Sequence, residues 1–121
     1  MSQEHIRRIF AALDSMQADD FVAFFTEDGQ MRTGNAAPLV GRNTIRDVLA
    51  QGMKAAFKGL RHEIIGLWEE GDIAIVESNV SYTRIDDTII TLPAATILYM
   101  TDGLVRDYRV YMDIAPALAP E

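Results

Sequence analysis

Cysteine is missing from this chain of 121 residues, which removes disulfides, thiolate nucleophiles and thiolate metal sites together. Histidine is nearly missing: only His5 and His62 occur, so a zinc site would need carboxylates to complete it, and no metal or cofactor is expected. Cationic side chains are scarce. Eleven Lys and Arg stand against 18 Asp and Glu, a net charge of −7 with no basic cluster, so a nucleic-acid backbone would be repelled rather than held. Long apolar runs are lacking as well. Nothing approaches the roughly 20 residues of a membrane-spanning helix, and the start, Met1 to Arg8, is charged without an apolar signal core. The expectation is a cytoplasmic protein with neither a nucleic-acid nor a membrane partner.

What is present divides into two patterns. Ile6, Ile9, Phe10 and Leu13 recur at the spacing of one helical stripe, with Ser2 placed to cap a helix running to about Met16. Asp19 or Asp20 can cap a short second helix carrying Phe21, Phe24 and Phe25, which Asp28-Gly29 would stop. Residues 30–34 read as a short strand, and Pro38 and Gly41 mark the next segment as a loop. Asn43 or Thr44 would open a third helix, with Ile45, Val48, Leu49, Met53, Ala56 and Phe57 on its apolar face until Gly59.

Beyond Gly59 extended runs rich in Val, Ile, Thr and Tyr are joined at Glu70-Gly71-Asp72, Asp86-Asp87 and Asp102-Gly103, which are hairpin signals. The reading is three helices followed by a four-strand antiparallel meander in one domain, 1–121, with Leu104 to Asp113 as a central strand. The longer runs should bend, and Gly66 and Pro93 are the natural places for a bulge or corner. Thr88 to Met100 is apolar on both alternating sets, Ile90, Leu92, Ala94 and Leu98 against Ile89, Ala95, Ile97 and Tyr99. Both faces should then be covered, one by helices and the other by a second copy, which predicts a homodimer through the outer face of the sheet.

The order of these features carries a resemblance: Phe24-Phe25-Thr26-Glu27-Asp28, Gly41-Arg42 before the third helix, and a meander closing on Gly103 to Asp113. Together they resemble the nuclear transport factor two-like superfamily, and within it the SnoaL-like branch alongside polyketide cyclases, ketosteroid isomerases and limonene epoxide hydrolases. The resemblance implies an α+β fold, a curved, mostly antiparallel sheet wrapped around three N-terminal helices. It is a cystatin-like cone with a pocket at its open end.

It also implies where a pocket should lie. Aligned on the hairpin turns, the family's pocket positions fall on Met31 and Thr33 of the first strand, Asn79 and Ser81 of the third, and Tyr108, Val110 and Met112 of the last. Where the epoxide hydrolases carry an Arg-x-Asp pair and a last-strand Asp, this chain has Asn79, Ser81 and Val110, none of them a general base at neutral pH. The cyclases' last-strand acid is replaced by Val110 too, and the isomerases' helix-one tyrosine has no counterpart, since no tyrosine precedes Tyr82.

Two groups remain for proton transfer. Glu77 shares parity with Asn79 and Ser81, and in an apolar cone its carboxyl pKa would rise into a useful range. The same alternation also reads as the wet face of a strand whose dry face is Val76, Val80 and Tyr82, and periodicity favours that reading. His62 is a candidate base or hydrogen-bond partner, against the structural role a lone histidine more often has. Tyr108 reads either as a core aromatic or as a phenol donor to a ligand carbonyl. Met16, Met31, Met53, Phe57, Trp68 and Met112 read as core, several of them able to line an adaptable cavity. Asp107, Arg109 and Asp113 take the other parity, where ion pairs or an interface are expected. The expected function is binding of a small apolar molecule, with isomerisation or cyclisation by proton transfer; the alternative is a non-catalytic binding or dimerisation module.

Overall fold

The structure is a computed structural model and describes residues 2–120. Helix α1 (Gln3–Asp14) buries the expected stripe of Ile6, Ile9, Phe10 and Leu13, and the Ser2 hydroxyl accepts the His5 backbone N–H at 3.1 Å. Helix α2 (Ala18–Val22) is shorter than the sequence suggests. Phe24 lies beyond it, and Phe25 opens a strand, β1 (Phe25–Thr33), instead of extending the helix. The sheet takes that segment: the Val105 N–H donates to the Phe24 carbonyl at 2.8 Å, and the Phe25 ring is fully buried. Asp19 and Asp20 fall in the first turn of α2, where carboxylates suit the positive end of the helix dipole, and Gln17 rather than either aspartate is the cap residue.

A two-residue strand β2 (Leu39–Val40) leads into α3 (Arg42–Ala56), which begins after Gly41. Gly59 does not end α3. Phe57 is already extended and starts β3 (Phe57–Glu70), followed by β4 (Ile73–Arg84), β5 (Ile89–Thr101) and β6 (Leu104–Tyr111). A last turn of helix, α4 (Ala115–Leu118), follows β6. The sheet order is β2-β1-β6-β5-β4-β3, with β1 parallel to β6 and every other pair antiparallel.

Curvature has local causes. Gly66 sits at a bulge between β3 and β4, and the Trp68 ring lies so close over it that a Cβ would stand 2.3 Å from the indole. Trp68 is therefore on the surface, 55% exposed, rather than in the core. Gly29 marks a second irregularity, between β1 and β6, where a Cβ would meet the Val105 carbonyl at 2.9 Å. Pro93, by contrast, keeps regular register with Asn79. Pairing of β5 with β6 begins only at Ala95, so the missing N–H of Pro93 falls on an unpaired edge.

Two hydrophobic clusters fill the concave side. One is dominated by rings: Tyr108 packs on Phe10, Phe21 and Phe25 with centroids 6.0, 5.4 and 6.0 Å away. The other is smaller and joins Phe57, Val80, Tyr82, Ala94 and Ala117 near the end of the cone.

Candidate functional site

Between the two clusters lies a cavity of about 120 Å³. Its walls come from each part of the fold: Leu13 of α1, Leu49 and Met53 of α3, Phe57, Leu60 and His62 of β3, and Tyr82 of β4. Met31 and Thr33 of β1 and Tyr108 and Val110 of β6 complete the sheet wall, and Met112 and Ile114 lie beyond it. None of these side chains is an acid, lysine or arginine, so the polar residues on the wall are Thr33, His62, Tyr82 and Tyr108, with the methionine sulfurs beside them.

His62 is held by Asp14 at the C-terminal end of α1. Asp14 Oδ1 accepts from His62 Nδ1 at 2.6 Å, and Asp14 Oδ2 accepts the His62 backbone N–H at 2.8 Å. A carboxylate only accepts, so the neutral ring carries its proton on Nδ1 and its lone pair on Nε2. The imidazole also stands edge-on to Phe10, with centroids 5.1 Å apart, and its side chain is only 8% exposed. Ring position and tautomer are thus both set by α1, as a base oriented by a carboxylate requires.

Tyr108 is fully buried, and its hydroxyl has no hydrogen-bond partner. Burial, then the nearby Asp14 charge and Tyr82, hold its phenol well above the usual tyrosine range, so at neutral pH it is a donor. Tyr82 donates to the Met112 sulfur at 3.5 Å, and burial pushes its pKa up to about 12. An unpartnered buried hydroxyl costs on the order of 1–3 kcal/mol, a cost that a ligand acceptor in the cavity would remove.

The structure separates the sequence candidates. Met31, Thr33, His62, Tyr108, Val110 and Met112 stand on the cavity wall. Glu77, Asn79 and Ser81 do not: they point to the convex face of β4, while Val76, Ser78, Val80 and Tyr82 point inward. The Asn79 amide reaches Glu63 at 3.4 Å, Ser81 bonds Thr91 at 2.9 Å, and Glu77 is exposed. Alternation on a strand flips the face at every residue, so assigning the odd-numbered set to the pocket displaced all of it at once. Asp14 escaped the sequence reading because it flanks the apolar stripe of α1 like any solvated residue; its partner lies 48 positions away and meets it only through the fold. Asp107 and Arg109 form the expected ion pair at 2.8 Å, and the Asp113 carboxylate caps the Ala115 N–H. Among the described residues no group of three or more His, Asp or Glu is placed to hold a metal ion.

A curved sheet enclosing an apolar cavity with few polar groups defines the class, an α+β cone. The sequence profile of the SnoaL-like domain matches residues 6–108, and the chain belongs to that family. No curated protein matches the chain with significance. Among solved structures, a protein of ketosteroid isomerase-like fold from Catenulispora acidiphila, in complex with trimethylamine, superposes with TM-score 0.86 at 19% identity, covering 98% of this chain and 92% of that one. A candidate SnoaL-like polyketide cyclase from Jannaschia sp. CCS1 gives 0.81 at 17% identity over 98% and 92%. An epoxide hydrolase of the limonene type from M. tuberculosis gives 0.78 at 16% identity over 92% and 81%. At these identities the likeness is one of fold.

Proposed function

We propose that the cavity binds the mostly apolar part of a small molecule bearing a carbonyl group, and that His62 moves a proton on it in an isomerisation or cyclisation. The observation that carries this reading is the 2.6 Å Asp14–His62 contact on the wall that also bears the unpartnered Tyr108 hydroxyl. His62 Nε2 removes a proton from the carbon next to the carbonyl, and the electron pair moves onto oxygen. The Tyr108 O–H donates to that oxygen as its charge develops. The imidazolium, stabilised by Asp14, then returns the proton to another carbon. Asp14 is a positioning residue here. The apolar lining supports an uncharged reacting part, and the wall lacks the acids that would open an epoxide.

The test is deuterium incorporation from D₂O next to the carbonyl of a panel of cyclic ketones and enones, followed by proton NMR. The wild type should accelerate exchange, His62→Gln should reduce the gain by about 10²–10⁴-fold, and Tyr108→Phe by about 10²–10³-fold. Asp14→Asn should shift the pH profile as well as the rate. Binding without exchange anywhere in the panel would favour the alternative, a non-catalytic binding module.

The same proposal includes a homodimer. The convex face carries adjoining apolar side chains, Trp68 beside Ile75, Ile75 beside Ile97 and Ala95 beside Tyr111, with Trp68, Ile75 and Tyr111 exposed. Light scattering at micromolar concentration should give twice the chain mass; a monomer would sink the dimer.

A further inference from the structure

Outside the cavity, a larger groove of about 690 Å³ borders it and shares Thr33, Val110, Met112 and Ile114 as walls. The groove differs in chemistry because it contains Arg32 and Arg109, neighbours across the β1/β6 pairing. Their charges are not equivalent. Arg109 is committed to Asp107 and lies over the Tyr99 ring. Arg32 Nε donates to the Ala36 carbonyl at 3.0 Å, in the turn that follows β1, and Arg32 takes part in none of the ion pairs among the described residues. Among the described residues Asp113 is the only carboxylate lining the groove, and it also accepts the Ala115 N–H.

Resting on the reading that the cavity takes an apolar carbonyl compound, we propose that the groove takes the other end of the same molecule, a carboxylate, and that Arg32 is its recognition residue. The substrate class becomes an oxo acid with its apolar, reacting part in the cavity and its charged end at Arg32. The cavity alone holds few heavy atoms, and the groove on its border offers room for the rest of such a chain. A guanidinium suits this because its remaining N–H groups form a planar fork matching the carboxylate oxygens.

The probes are n-octanoate and 1-octanol, which share a chain and differ in the charged end, titrated by calorimetry into the full chain at low ionic strength. Wild type should bind octanoate about two- to fivefold more tightly, as expected for one partly exposed ion pair. Arg32→Gln, which retains a donor for Ala36, should remove that preference and leave the octanol affinity unchanged. Arg109→Gln should lower it less, and Asp113→Asn should raise it. Equal binding of the two probes to wild type, or a preference that survives in Arg32→Gln, overturns the Arg32 assignment alone. Binding of neither probe overturns the apolar-cavity reading beneath it.

Discussion

The two ends of the concave face are built from the same strands yet finished differently. Towards one end, Phe10, Phe21 and Phe25 pack around the Tyr108 ring and leave no room for a guest. Towards the other, Tyr82, Val110 and Met112 face an unfilled volume, and the polar groups along its wall include one hydroxyl without a partner. A fold that needed only stability would fill both ends, because voids forfeit packing energy and unpaired hydroxyls cost more. The contrast therefore locates the working end, with Tyr108, a member of the filled cluster that also lines the cavity, at the boundary.

The sharpest way to break the contrast is to hollow the filled end. Phe25→Ala should cost about 3–5 kcal/mol in urea denaturation, whereas Met53→Leu on the cavity wall should cost under about 1.5 kcal/mol; equal losses would erase the distinction.

Alkali probes the buried phenols. Both folded-state values are raised, so stability is fully present below the unfolded tyrosine pKa of about 10 and falls as pH rises through the folded values, because the unfolded chain then binds fewer protons than the native one. Tyr82, raised to about 12, should alone account for a loss of roughly 2 kcal/mol between pH 10 and 12. The check is denaturation across that range, with Tyr82→Phe flattening the fall.

Asp14→Ala should cost about 1–3 kcal/mol, since it leaves the His62 ring N–H and backbone N–H without their acceptor. A thermal melt measures this, and no change would mean that the clamp is weak. The smallest effect belongs to the convex face. Glu77→Gln, Asn79→Ala and Ser81→Ala should each stay within about 0.5 kcal/mol of wild type and leave ligand binding and exchange intact; a lost activity in any of them would return the site to the outer face.

How far the sequence carried depended on the kind of signal. The α1 stripe, the meander and its turns were legible because helical and strand periods differ, and Asp102-Gly103, with φ of 51° and 80°, is the tight turn its composition announces. The phenylalanines at 21–25 misled because a run of large apolar residues fits either period, and the choice was made by the Val105 ladder. On β6 the parity of Tyr108 and Val110 matched the cavity side, whereas on β4 the odd-numbered positions 77, 79 and 81 turned outward. Which face of β4 turns inward follows from register across the sheet. The Asp14–His62 pair, whose role belongs to the proposal, had no local signature, because α1 and β3 are distant in the chain.

The most direct measurement is methyl NMR of the six methionines during titration with 2-cyclohexenone. Met31, Met53 and Met112 line the cavity, whereas Met100 is buried away from it and Met16 borders only the neighbouring crevice between the helices. Saturable shifts are expected at Met31, Met53 and Met112, and they should be lost when Val110→Phe fills the space. Shifts confined to Met16 and Met100, or shifts that survive in Val110→Phe, would contradict the cavity reading.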